Sequence, residues 1–583
     1  MTRQLLDDLR SILGSRHLLS GASQMRRFTR GYRYGQGAAV AVALPGTLTE
    51  MWRVAQRCVA ADAIIITQAA NTGLTGGSTP FGDDYDRPVV VINTMRIKSL
   101  HLLADGRQVL AFPGTTLDEL ETALLPLGRE PHSVIGSSCL GASVIGGICN
   151  NSGGSLIRRG PAYTELALYG RVGADGRLEL VNKLGIGLGE DPDTILSRLE
   201  RRDYGASDID DGGDKVASDP DYPRHIRDVD AATPARYNAD PRCLHDAAGS
   251  AGRLIVFAVR LDTFAAEKDT RVFYIGTNDP ADLTAIRRSM LADQASLPIA
   301  AEYIHREAFD ISARYGKDTY LLVQKLGTRR LPRLFALKSR IEAFCDRLPF
   351  TSASIVDRAM QAVSELIPSP LPVRLKAFRD RFEHHLMVKV SAEDADALRT
   401  LLSTLYPNPS GDWFECNRQE GSAAFLHRFA TAGAAIRYDS VHRSKTEGVI
   451  ALDIALARND RDWFETLPAE LAERFIHKLY YGHFFCHVFH QDYLLRKGFD
   501  WHATKAEMLA LLDTRQARYP AEHNVGHLYA ADGSLADHYR SLDPCNCLNP
   551  GIGKTSRLKY WRDQTGPEPR TAPMEFTQAE TAP

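Results

Sequence analysis

The chain has 583 residues, is 44% hydrophobic, and balances 70 basic against 72 acidic residues for a formal net charge of -2. That length predicts two or three domains with sizeable cores, and the near-neutral charge leaves no electrostatic footprint for nucleic acid. Nine cysteines without a CxxC pair argue against a zinc ribbon or an iron–sulfur centre and fit a reducing compartment.

Residues 1–35 begin with MTRQLLDDLRSILGSRHLLS, an amphipathic helix of mixed charge, and continue into a basic connector, Arg26–Arg33. Neither part has the apolar core of a signal peptide, and no stretch reaches the roughly 18–20 apolar residues that span a bilayer. The expected location is the cytoplasm, with attachment to a membrane surface left open. From Ala38, short apolar runs alternate with helical segments. AAVAVALPG predicts a strand and turn, Thr49–Ala61 a helix capped near Thr47 or Thr49, AIIIT a buried strand and Val89–Thr94 another. VLAFPGTTLDELETALLPLG predicts strand, turn and helix, with Thr115 or Thr116 capping ahead of acidic first-turn residues.

Two small-residue loops interrupt this alternation. AANTGLTGGSTP (Ala69–Pro80) follows the apolar run Ile64–Ile66. VIGSSCLGASVIGGICNNSGG (Val134–Gly154) holds Gly136, Gly141, Gly146, Gly147, Gly153 and Gly154. Glycine permits close backbone approach, so successive N–H groups in such loops can turn toward one anion. The pair predicts a diphosphate cradle that uses no lysine; mobile surface turns are the plain alternative. No GxxxxGK[ST] is present, and no GxGxxG opens a helix after the first strand, which disfavours a P-loop ATPase and a doubly wound dinucleotide fold. Gly551–Thr555 (GIGKT) only imitates a phosphate loop, since the upstream glycine is missing.

Residues 201–230 carry nine Asp and five Lys or Arg among several glycines and predict an exposed acidic excursion. Leu254–Leu261 (LIVFAVRL) reads as a strand, and Tyr274–Asn278 begins a second domain. In residues 325–381, Arg329, Arg330, Arg333, Lys338 and Arg340 interleave with Leu331, Leu334, Phe335, Leu337 and Ile341, and Arg374, Lys376, Arg379 and Arg381 follow. Such a basic amphipathic surface suits an anionic bilayer; a solvated basic helix is the alternative. The tail, residues 563–583, is polar and rich in Pro and Thr and is expected to be disordered.

GHFFCHVFHQDY supplies His483, His487 and His490, and AEHNVGHLY supplies Glu522, His523, Asn524 and His527. On a strand, His483 and His487 share a face and His490 takes the other; on a helix all three fall near one face. Two histidines and a carboxylate can bind a divalent cation, while buried, hydrogen-bonded histidines are the competing reading.

Several long motifs in one order resemble a known family: QAANTGLTGGSTP, PHSVIGSSCLGASVIGGICNNSGG, RGPAYTE, HKLYYGHFFCHVFHQDY, PAEHNVGHLY and DPCNCLNPGIGK. Over residues 5–562 the chain resembles the FAD-linked oxidoreductases of the vanillyl-alcohol-oxidase type. Within them it is most similar to the bacterial, membrane-associated, quinone-dependent D-lactate dehydrogenases. The resemblance implies an α+β fold, with a two-subdomain FAD-binding domain and an antiparallel-sheet cap. The implied division is an N-terminal helical segment (1–35), the FAD-binding domain (36–268), the cap (269–520) and a C-terminal return (521–562). It implies noncovalent FAD, because the first loop lacks the histidine or cysteine that covalent relatives use. Ala69, Ala70, Asn71, Thr72, Gly73, Gly77 and Ser78 in that loop, and Gly136, Ser143, Gly146 and Gly153 in the second, would hold the cofactor. Val256 would contact it through its backbone, and Asn549 and Lys554 would return to it.

Related 2-hydroxyacid dehydrogenases carry GHxGDGNxH and then EHG. Gly482, His483 and His490 match the outer positions of the first, and Glu522 with His523 match EH. Phe485, Cys486, His487 and Val488 replace the interior, and Asn524 replaces the last glycine. The carry-over makes His483, His490 and Glu522 candidate divalent-metal ligands and His523 the base. Arg437 becomes the carboxylate clamp, with Arg428 as a second candidate. The implied activity is D-lactate oxidation with electron transfer to a membrane quinone, by a peripheral protein on an anionic lipid surface at the cytoplasmic side of the inner membrane. Oxidation of another D-2-hydroxyacid such as 2-hydroxyglutarate, or a non-enzymatic membrane-surface adaptor, are the alternatives.

Overall fold

A computed structural model describes residues 2–132, 141–210, 213–326, 355–406 and 409–562. Gly136, the Arg329–Arg340 cluster and residues 563–583 lie outside the described residues. Chain order starts with the helix Thr2–Leu13, whose Leu5, Leu9 and Leu13 recur every four residues and are all buried. Each such side chain contributes about 1.5–3 kcal/mol when fully buried.

Four strands, β1 (Leu18–Leu19), β2 (Ala41–Ala43), β3 (Ile64–Gln68) and β4 (Val89–Asn93), form the first sheet in the order β1-β2-β4-β3. β2 and β3 both run parallel to β4. Parallel strands are covered on both faces, which is why VVVIN is buried throughout. The covering helix Leu48–Ala60 is capped by Thr47 Oγ1, which accepts from Glu50 N (3.0 Å). β5 (Leu100–Leu103), β6 (Gln108–Ala111), β8 (Ala167–Val172), β9 (Leu178–Asn182) and β10 (Ile255–Asp262) make an antiparallel sheet ordered β5-β6-β10-β8-β9, and the short β7 (Arg129–Glu130) pairs with β11 (Phe264–Ala265). Thr116 caps the helix Leu117–Leu124 through a reciprocal pair with Glu119.

The third sheet has seven antiparallel strands: β12 (Thr270–Thr277), β13 (Ala300–His305), β14 (His384–Ser391), β15 (Gly411–Glu415), β16 (Thr446–Ala455), β17 (Phe475–His483) and β18 (Val488–Arg496), ordered β15-β12-β14-β13-β17-β18-β16. One of its faces packs an aromatic core around Tyr303, Trp463, Phe484 and Phe489. The acidic excursion departs from expectation here. Its Tyr222, Ile226 and Val229 are buried in that core: the helix Tyr222–Arg227 turns the first two inward, and Val229 follows just after it. The chain end returns to the first sheet: Ile65 N donates to Cys547 O and Asn549 N donates to Ile65 O, both at 2.9 Å. Arg253, fully buried, clasps this return through Asn546 Oδ1 (2.6 Å) and Leu548 O (3.1 Å).

Candidate active site

β3 ends at Gln68 and gives way to the first small-residue loop. Asn71 there takes a left-handed backbone (φ +55°) and is gripped on two sides. Its Nδ2 donates to Arg30 O (2.8 Å), and its Oδ1 accepts from Ser78 Oγ (3.1 Å). Closed in this way, the loop leaves the N–H groups of Asn71 to Ser78 without an acceptor among the described residues. The second loop ends in the helix Val144–Cys149, capped by Ser143 Oγ, which accepts from Gly146 N (3.0 Å). A Cβ on Gly77 would sit 2.8 Å from Asn524 Nδ2, and one on Gly153 would collide with the Glu522 carboxylate. Only glycine lets the 522–524 segment close onto both loops.

The opposite wall is built by strand register. Glu302 of β13 pairs with His483 of β17, Tyr481 of β17 with His490 of β18, and His490 with Asp453 of β16. Paired residues share a face, as do residues two apart on one strand. Glu302, Tyr481, His483, His490, Asp492 and Asp453 therefore stand together on one side of the sheet. The 520s segment crosses above them, held by Ala521 N donating to Asp453 O (3.0 Å) and Glu522 N to Asp453 Oδ2 (2.7 Å).

A cavity of about 920 Å³ joins the two walls. Ala69, Ala70, Asn71, Thr72, Gly73, Gly77 and Ser78 line it from the first loop, and Ser143, Gly146, Gly153 and Val256 from the second lobe. Arg428, Arg437, His483, His490, Glu522 and His523 line it from the cap and the 520s segment. Two expected residues are not in its wall. Lys554 is exposed, and Asn549 stands behind the loops, its Nδ2 donating to Gly77 O (2.8 Å) and Ala251 O (2.7 Å). Asn549 thus braces the first loop as the tail returns to this domain, and Lys554 follows it at the surface.

The histidine run follows neither simple spacing. His483 ends β17, Phe484–Cys486 form a single 3-10 turn, and His487 at φ +52° reverses the chain into β18. His483 and His490 consequently meet with ring centroids 5.3 Å apart, while His487 turns away toward Ala457 O (2.9 Å). His483 lies between two carboxylates, with Nδ1 2.6 Å from Glu302 and Nε2 3.2 Å from Glu522. Burial pulls its pKa down, but the carboxylates outweigh this and raise it to about 9. Burial likewise opposes ionisation of Glu522, yet His483 and Arg236 (2.9 Å) hold its carboxyl well below the ordinary range. His490 moves the other way, lowered by burial and by Arg428. Burial raises Asp453. His523 has its side chain one-third exposed, with Nε2 3.9 Å from Asp453 Oδ2. Arg428 pairs with Glu302 (2.6 Å), and Arg437 with Asp318 (2.9 Å) and Asp357 (3.0 Å).

One atom from each of His483, His490 and Glu522 lies within 4.8 Å of the others. Two imidazoles and a carboxylate at this separation are a donor set that divalent cations accept.

Sequence comparison decides the relationship. The quinone-dependent D-lactate dehydrogenase of Escherichia coli (strain K12) is 56% identical over 561 residues, 96% of this chain and 98% of that protein. The chain belongs to the quinone-dependent D-lactate dehydrogenase family. The Haemophilus influenzae member is 54% identical, covering 96% of this chain and all of its own length. The family described as D-lactate dehydrogenase, membrane binding, matches residues 272–561. Among solved structures, p-cresol methylhydroxylase superposes with a TM-score of 0.52 at 12% identity, over 95% of this chain and 97% of that one. The 4-ethylphenol oxidase of Gulosibacter chungangensis gives 0.54 at 12%, over 94% and 96%. These two share the fold, and the α+β class expected from the sequence is the one observed.

Four residues of the family member's cavity region escaped sequence reasoning. Glu302 and Asp453 look like ordinary strand acids until the register sets them beside His483 and His490. Arg236 is nearly 300 positions from its partner Glu522. Lys505 sits within a helical pattern that carries no chemical signature.

Proposed function

We propose that this protein oxidises D-lactate to pyruvate on noncovalently held FAD and passes the electrons to a membrane quinone. One observation carries the reading: the free N–H groups of the first loop and the histidine–carboxylate face of the sheet border one continuous cavity. A row of unused N–H donors in a glycine-rich loop fits a pyrophosphate, and Pro113, Leu254 and Val256 give the same cavity apolar walls for a flat ring. FAD supplies the hydride acceptor and, once reduced, the electron donor. His523 takes the hydroxyl proton of the substrate on its imidazole, and Asp453 orients that ring. His483, fixed as a cation between Glu302 and Glu522, stabilises negative charge at the reacting oxygen. A divalent ion at His483, His490 and Glu522 would supply the same stabilisation in its place.

Anaerobic mixing with D- and L-lactate, D-2-hydroxyglutarate and glycolate tests this. Bleaching of the bound flavin fastest with D-lactate is expected; no bleaching by any member refutes the activity. Denaturation should release the yellow chromophore from the polypeptide, and colour that stays with the protein would reject noncovalent attachment.

For location we propose peripheral attachment to anionic lipid on the cytoplasmic side of the inner membrane. No described helix is long and apolar enough to cross a bilayer. Later in the sequence than the basic Arg329–Arg340 run, the described residues expose Leu366 (85%), Val373 (77%), Val363 and Ile367, apolar side chains suited to the headgroup layer. The double variant L366D/V373D should lose most of its sedimentation with anionic vesicles, and wild-type binding should fall as salt rises. Unaltered sedimentation of the variant would take these side chains out of the attachment.

A further inference from the structure

The helix Trp501–Thr514 lies along β16, anchored where Trp501 Nε1 donates to Val449 O (3.1 Å). One turn on, Lys505 is only 6% exposed, yet it lines the cavity. Its Nζ lies 4.3 Å from the Tyr529 ring centroid and 5.2 Å from that of Trp501. No carboxylate pairs with it, and no acceptor takes its protons, among the described residues. The other cap-domain cations of this cavity are engaged: Arg428 by Glu302, Arg437 by Asp318 and Asp357, and Arg443 by Asp439 (3.7 Å). Arg33, from the N-terminal connector, also reaches the cavity but stays partly solvated.

A buried ammonium without an acceptor is costly. Ring faces offset part of that cost. They leave the N–H protons unsatisfied. Its lining position leaves the cavity as the side from which a partner can come, and a small anion would supply both the acceptor and the counter-charge. Tyr529 belongs to the same 520–529 segment that carries His523, and β16 beneath the helix carries Asp453. The helix carrying the ammonium therefore packs against the same two elements that hold the proposed base and its orienting acid.

We propose that Lys505 is the carboxylate-recognition residue of this cavity, its ammonium receiving the carboxylate of the 2-hydroxy acid across the Tyr529 ring. This rests on the 2-hydroxy-acid reading above and moves the clamp away from Arg437. In support, burial, with a smaller push from Lys554, lowers the Lys505 pKa to about 7, so an arriving carboxylate restores a full charge there. It also explains how a site whose cap arginines are all neutralised by carboxylates can still attract an anionic substrate.

The test uses flavin-loaded protein and two readouts. The first is equilibrium binding of oxalate, which cannot be oxidised, followed by flavin absorbance. The second is anaerobic flavin reduction by D-lactate and by its neutral amide. K505M should raise the oxalate Kd, and the D-lactate concentration for half-maximal reduction, by about 10²- to 10³-fold. Reduction by D-lactamide should change less than about threefold, and K505R should recover part of the oxalate affinity. Thermal stability of K505M should hold or rise, since an unpaired buried charge is removed. An unchanged oxalate Kd overturns the proposal, and if K505M is also less stable, the lysine is a packing element held by its two rings. A shifted flavin potential with unchanged oxalate affinity overturns it too, assigning the charge to the ring. If wild-type protein binds oxalate through Lys505 but its flavin is not reduced by D-lactate, the anion role stands and the substrate reading falls.

Discussion

His523→Ala is expected to slow flavin reduction by D-lactate about 10²- to 10⁴-fold, the usual range for loss of a general base, with fold and flavin content kept. The geometry selects this histidine from its neighbours. His483 is already committed as a cation between Glu302 and Glu522. His490 is hemmed in by Asp453 (3.4 Å) and Glu522 (3.7 Å), and His487 faces Ala457 on the far side of the turn. His523 is the one whose ring stays partly open to the cavity while keeping a carboxylate at 3.9 Å to orient it. Stopped-flow reduction at saturating D-lactate measures the effect. A rate within about threefold of wild type would remove His523 from the proton transfer.

Arg236→Met should lower stability by about 3–5 kcal/mol, the range for leaving one member of a buried ion pair alone. Arg236 is buried, and its guanidinium donates to Glu522 Oε1 (2.9 Å), Leu156 O (3.1 Å) and Gly154 O. It thus ties the second small-residue loop to the acid of the histidine cluster. Methionine keeps much of the volume but strands the Glu522 charge and two carbonyls. Urea unfolding monitors the loss. Adding Glu522→Gln in the same chain should recover part of the stability, because the stranded charge is then gone, while reduction by D-lactate stays slow. A single variant within about 1 kcal/mol of wild type would show that Glu522 is satisfied without it.

Local chemistry was readable in the sequence wherever neighbours in the chain decide it. The apolar run Val89–Ile92 gave a strand covered on both faces, and Thr47 and Thr116 stood where helix caps belong. The two small-residue loops and the His483, His490, Glu522 and His523 motif residues proved to border one cavity. What stayed hidden depends on long-range pairing. Glu302 meets His483 across 181 positions, and Arg236 meets Glu522 across 286, through strand register and loop closure that no local pattern encodes. The 483–490 spacing misled for a related reason: periodicity presumes one kind of element, and this run contains a strand, a turn and a second strand. The pairing of Arg437 with Asp318 and Asp357, distant in the chain, was likewise invisible in the sequence.

The brace formed by Asn549 has a consequence for how the protein is made. Its side chain holds Gly77 from 472 positions away, and the neighbouring backbone hydrogen-bonds Ile65 in the strand that launches the first loop. A nascent chain displays that loop 472 positions before its clasp. The loop therefore reaches its final shape, and is ready to hold a cofactor, only after the clasp has followed it.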